Sequence, residues 1–136
     1  MNTTTAAAVP ILAIDTSALL RRYVPDPHGE LVTATMETAA VWCASALART
    51  ELLAALHRLS MAPFQHEELW RSARTDWDAF HVVPVDGRCL SVAAELAAHY
   101  GLAVGDAIHL AAADRLPRPV RYLSFERRQL SAAVEL

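Results

Sequence analysis

An apolar run that ends abruptly on a carboxylate constrains this chain more than any other feature. Ile11-Leu12-Ala13-Ile14 follows Pro10 and leads straight into Asp15-Thr16-Ser17. A short continuous apolar run bounded in this way reads as a strand buried on both faces. Ala18-Leu19-Leu20-Arg21-Arg22-Tyr23 then reads as a helix, with Thr16 or Ser17 as its N-cap. Asp15 therefore falls at the carboxyl end of a central strand, the edge of an α/β sheet at which ligands bind. An Asp at a strand-to-helix turn serves equally well as a helix cap, so its meaning depends on where the other acids fall.

The rest of the chain repeats this strand-to-helix alternation. Pro25 to Gly29 is a turn, and Glu30 to Ala40 a helix with Leu31, Val32 and Met36 facing inward. Val41 to Ala44 is a second strand. Ser45 caps a helix whose apolar row is Leu52, Leu56 and Leu59, widened by Leu53. Pro63 starts a helix carrying Leu69, Trp70 and Trp77, and Phe80 to Val85 is a third strand. Asp86 caps a helix that runs to Tyr100 and ends at Gly101. A helix from Asp106 to Leu116 is closed by Pro117 and Pro119, Arg121 to Phe125 is a fourth strand, and Glu126 to Ala133 a last helix. Short apolar strands alternating with helices predict an α/β fold with a mainly parallel sheet covered on both faces. The 136 residues suit one domain over 10–136, preceded by a flexible Thr- and Ala-rich tail over 1–9.

The formal net charge of −3 offers no basic footprint for nonspecific nucleic-acid binding. All twelve basic residues are Arg, so any mechanism that needs a lysine is excluded. Cys43 and Cys89 sit far apart in apolar settings, without zinc-ligand spacing, and read as buried free thiols. No stretch approaches the ~18 apolar residues of a membrane span, and Met1 to Pro10 lacks the basic start of a signal peptide. A cytoplasmic, reducing location and no membrane partner are expected.

Four acids fall where the predicted sheet opens. Asp15 and Glu126 each follow a strand. Glu51 lies among Leu47, Ala48, Ala54 and Ala55 in the helix after strand two, where a carboxylate calls for a cation, with Arg49 or Arg58 as candidates. Asp106 starts the deeply apolar helix Asp106-Ala107-Ile108-His109-Leu110-Ala111-Ala112-Ala113, as a cap or as something more. His109, one turn on, is placed to hydrogen-bond to Asp106, and Asp114 faces the surface. Glu126 also suits the positive end of a helix dipole. In a parallel sheet the carboxyl ends of all strands share one edge, so the four acids can share it too. Such a cluster makes physical sense around a hard divalent cation bound through oxygen, Mg²⁺ or Mn²⁺.

Ile14-Asp15-Thr16-Ser17-Ala18-Leu19-Leu20, Ser45-Ala46-Leu47-Ala48-Arg49-Thr50-Glu51-Leu52, Gly105-Asp106-Ala107-Ile108-His109-Leu110-Ala111-Ala112-Ala113 and Tyr122-Leu123-Ser124-Phe125-Glu126-Arg127-Arg128 together resemble the PIN domain, and more narrowly the VapC ribonuclease toxins of bacterial toxin–antitoxin pairs. The resemblance runs from about Ile11 to Ala133, and its most specific segment is Asp-Ala-Ile-His-Leu-Ala-Ala-Ala. It implies a three-layer α/β/α sandwich and a Mg²⁺-dependent endoribonuclease. It also implies a homodimer and a cognate small antitoxin whose tail blocks the active site. The family's metal-binding acids align with Asp15, Glu51, Asp106 and Glu126; the fourth is usually Asp, so Glu126 is a departure.

On this reading Asp15 and Asp106 hold the ion, and Glu51 completes its shell or orients a water. Thr16, Ser17 and His109 support the ligands from behind, while Arg21, Arg22, Arg127 and Arg128 contact RNA phosphates. A response-regulator receiver needs a lysine, and a haloacid-dehalogenase-type phosphatase needs an Asp where Ser17 stands. The rival outside catalysis is a degenerate PIN domain acting as a binding or scaffold module.

Overall fold

The computed structural model describes residues 11–60 and 62–136; the tail expected over 1–9 lies outside them. The chain runs β1 (Ile11–Ile14), α1 (Thr16–Leu20), α2 (Gly29–Thr38), β2 (Val41–Ser45), α3 (Ala46–Leu59), α4 (Pro63–Trp77), β3 (His81–Val83), α5 (Gly87–Tyr100), α6 (Val104–Asp114), β4 (Val120–Leu123) and α7 (Arg127–Ala133). The four strands form one parallel sheet in the order β3-β2-β1-β4.

Alternation along β1 builds the two outer layers. Leu12 and Ile14 point to one face, where they pack with Leu19, Val32, Met36, Leu52 and Leu56 from α1, α2 and α3. Ala13 points to the other, against Cys43, Ala93, Leu110, Ala111 and Ala132. Side chains on a strand alternate faces, so a central strand with no polar position needs a helical layer on each side. This is the α/β/α sandwich the alternating pattern predicts. Cys43 and Cys89 are buried free thiols, as expected.

Several local expectations shift. The cap of α1 is Asp15, not Thr16 or Ser17, and its Oδ1 accepts from the Ala18 amide at 3.0 Å. Helix α6 begins two residues earlier than expected, with Ala103 as N-cap, so Asp106 stands in the first turn and caps nothing. Strand β3 is only three residues long, because Pro84 lacks the N–H a longer ladder needs. Leu31 is 54% exposed: Val32 and Met36, four apart, already define the buried stripe of α2. Leu59 is also exposed, as the last residue of α3.

Strand order fixes where a site can form. From β1 the chain steps outward to β2 and β3, then returns to β4 on the opposite side of β1. The loops after β1 and β4 therefore diverge to opposite faces, and the crevice they leave lies at the carboxyl end of β1. Asp15 sits there, its amide donating to Leu123 of β4 at 3.2 Å.

Candidate active site

A cleft of about 500 Å³ opens at that point. Its lining includes Asp15, Glu51, Asp106 and Glu126, together with Thr16, Ser17, His109 and Arg58. Asp15 and Thr16 come from the β1–α1 junction, Glu51 and Arg58 from α3, Asp106 and His109 from α6, and Glu126 from the cap of α7.

Asp15 is 1% exposed and fully furnished with donors. Beyond the Ala18 amide, Ser17 Oγ reaches Oδ1 at 2.8 Å, Ser124 Oγ reaches Oδ2 at 2.7 Å, and Gln129 Nε2 reaches Oδ2 at 3.0 Å. The Tyr122 hydroxyl donates to Gln129 Oε1, which turns the amide nitrogen of Gln129 toward Asp15. Burial, with the charges of Asp15 and Asp106 nearby, pushes the Tyr122 phenol up, so it stays a donor. Ser17 acts twice, since its Oγ also accepts from the Phe125 amide at 3.0 Å and ties the β4–α7 loop to α1.

Glu51 belongs to a second network. His109 Nε2 lies 2.6 Å from Glu51 Oε1, and Thr16 Oγ1 donates to the same oxygen at 2.6 Å. A carboxylate only accepts, so Nε2 carries a proton toward Glu51, while Nδ1 lies 2.9 Å from Ser45 Oγ. These contacts correct three expectations. His109 bonds Glu51 instead of Asp106, because both its ring nitrogens are claimed across the α3–α6 and α6–β2 packing. The partner of Glu51 is His109, not Arg49 or Arg58. Ser45 makes no side-chain cap bond, because its hydroxyl is spent on His109. The His109 hydrogen bond, with that of Thr16 behind it, holds the Glu51 carboxyl below its usual range despite partial burial.

Asp106 is in the opposite condition. Burial first, and the charge of Asp15 second, push its carboxyl up; Glu51 adds to the repulsion, while His109 and Gln129 offset part of it. No described ion pair joins Asp15 or Asp106 to an arginine. Glu126 is exposed at the rim, where its side chain makes no cap bond while its amide donates to Ser124 Oγ at 2.9 Å.

The acids share a cleft but do not form a closed cage. Among the described residues no three His, Cys, Asp or Glu side chains are grouped so as to hold a metal ion by themselves. The donor set still suits a hard cation. It is all carboxylate oxygen, and its two innermost members repel one another with no arginine between them. Magnesium is commonly held by one or two carboxylates with waters and substrate phosphate completing the shell.

The arginines expected at the substrate do not line this cleft. Arg21 donates to the Ser17 carbonyl at 2.7 Å, pairs with Asp26 and stacks over Phe125. Arg22 pairs with Asp76 at 3.0 Å and lies over Trp42. Arg128 reaches the Gly101 carbonyl, and Arg127, though exposed, does not line the cleft. The contacts that Gln129, Ser124 and Ser45 make with the site escaped the sequence reading, which had Ser45 only as a helix cap. Each bonds a site residue more than sixty positions away, and no local pattern announces such a contact.

Parallel sheet, switch-point cleft and acid lining define a chain of the PIN class. The chain belongs to the PIN domain family, whose model matches residues 12–133. PIN domains are generally nucleases and typically use divalent metals, so membership supports a hydrolase that cuts nucleic acid. Among solved structures the chain is similar to FitAcB from Neisseria gonorrhoeae, with a TM-score of 0.70 and 20% identity over 92% of this chain and 94% of that one. It is also similar to FitAB bound to an IR36 DNA fragment, with a TM-score of 0.69 and 19% identity over 92% of this chain and 91% of that one. At that identity the likeness establishes the fold. No curated protein matches the chain. None of the helices among the described residues is long and apolar enough to cross a membrane.

Proposed function

We propose that this chain is a Mg²⁺-dependent endoribonuclease of the VapC type, the toxin of a toxin–antitoxin pair. One observation carries the reading: Asp15, Glu51, Asp106 and Glu126 line a single cleft in which Asp106 is pushed up by burial and by Asp15, with no arginine to neutralise either. Asp106 and Asp15 would hold the ion, with Glu51 or Glu126 approaching it directly or through water; Mn²⁺ suits the same oxygens. When bound, the ion supplies positive charge against the phosphoryl oxygens and acidifies water for hydrolysis.

The chain's own residues do the rest. Ser17, Ser124 and Gln129 fix the direction of the Asp15 carboxylate. His109 and Thr16 keep Glu51 ionised, so its second oxygen is available to accept a hydrogen bond from water and orient it. RNA as substrate, a small antitoxin, a homodimer and a cytoplasmic site of action follow from the VapC resemblance. FitAB, captured on DNA, is in keeping with an assembly whose partner binds DNA.

Asp15→Asn and Asp106→Asn should each abolish Mg²⁺-dependent cleavage of RNA, read on gels of labelled transcripts. Undiminished cleavage by both would refute the assignment. The lack of a preformed three-ligand group favours one other reading, a degenerate PIN domain that serves as a binding module. Titration with Mn²⁺ separates the two, since a broken site takes up no metal.

A further inference from the structure

We propose that Arg58 grips the RNA backbone beside the phosphodiester being cut, an assignment that rests on the nuclease reading above. Glu51 and Arg58 are seven residues apart on α3, two turns or about 10.5 Å along the axis, and both line the cleft. Ala54 and Ala55 lie between them on the same face. Their methyl groups leave a shallow floor over which a sugar–phosphate strand can run from the acids to the guanidinium.

A phosphate strand entering a cleft lined by four carboxylates is repelled by them, and a cation on its path offsets that repulsion. Arg58 is the only arginine lining the cleft among the described residues. It is exposed, and no described ion pair or hydrogen bond engages it. Arg21 and Arg22, by contrast, are committed to Asp26 and Asp76. A guanidinium presents a planar fork matched to two phosphate oxygens. At two turns from Glu51 it meets a flanking phosphate, not the one that reacts. The contact is to backbone, so it strengthens binding without selecting a base.

The test uses the full chain and a fluorescein-labelled single-stranded oligoribonucleotide. Binding is followed by fluorescence anisotropy over a salt series, with Asp106→Asn present to prevent cleavage. Arg58→Ala should weaken binding about tenfold and lower the slope of log affinity against log salt by about 1. Arg58→Glu should weaken it further, and Arg58→Lys should keep the slope while recovering part of the affinity. With Asp106 intact, Arg58→Ala should raise KM about tenfold and lower kcat less than threefold. If affinity, slope and KM stay unchanged in Arg58→Ala and Arg58→Glu while Asp106→Asn still abolishes cleavage, the Arg58 assignment is overturned and the nuclease reading stands. A wild type that neither binds nor cuts RNA overturns both.

Discussion

The two walls of the cleft treat their carboxylates in opposite ways. On the β1 wall, Asp15 accepts from one backbone amide and three side chains and is almost wholly buried. On the α6 wall, Asp106 is half-buried and pushed up by burial and by its neighbour's charge. Asp15 is thus part of the architecture: it caps α1 and ties β1 to the loop after β4. Asp106 is a cost the fold carries, and a cation would remove it. A site can combine one acid that the fold needs with another that the fold merely tolerates.

That contrast breaks most sharply on the paired asparagine variants. Both should lose cleavage to background, but their stabilities should move apart. Asp15→Asn keeps one acceptor oxygen and turns an NH₂ toward donors, so urea unfolding should show a loss of about 1–3 kcal/mol. Asp106→Asn removes the charge that burial and Asp15 disfavour, so its melting temperature without metal should rise by a few degrees. Equal destabilisation of the two would erase the distinction between the walls.

The residues behind the acids come next. Ser124→Ala and Gln129→Leu should each lower cleavage roughly 10–100-fold by freeing Asp15 to turn. The stability cost of Ser124→Ala should be about 1–3 kcal/mol, because it loses both the bond to Asp15 and the one accepted from the Glu126 amide. Full activity in both would show that Asp15 needs no such support.

Glu51 gives a smaller effect with a defined sign. Its folded carboxyl is held below its unfolded value by the His109 hydrogen bond. The pair therefore adds stability above the unfolded pKa, and that stability is lost as pH falls through the lowered folded value. The stability gap between wild type and Glu51→Gln should close on going from neutral to strongly acidic pH, measured by chemical unfolding. A gap that widened in acid would contradict this account.

Gly105→Ala should have the mildest consequence. A Cβ there would lie 3.0 Å from Glu51 Oε2, so the flexible end of Glu51 must give way. A few-fold loss of cleavage with little change in melting temperature is expected. Unchanged activity would mean that this oxygen has room to spare.

The order of elements, the parallel sheet and the strand-end position of Asp15 were all legible in the sequence. Each is written in local signals: apolar runs of strand length, capping residues, and Gly or Pro where a helix must stop. The segments bearing Glu51, Asp106 and Glu126 were legible too, because acids inside apolar or strand-end contexts stand out. The partners of those acids were not. His109 looked like a neighbour of Asp106 along one helix, yet it bonds Glu51 and Ser45 across two packing interfaces. Arg21 and Arg22 follow Asp15 closely in sequence, yet they turn to Asp26 and Asp76, while Arg58 alone of the described arginines faces the cleft. Periodicity is a property of short range along the chain, so the sequence by itself determined which elements form and, to within a few residues, where they end. Hydrogen bonds and ion pairs go to whichever group is nearest in space, and only the docking of α3, α6 and α7 against the sheet decided that.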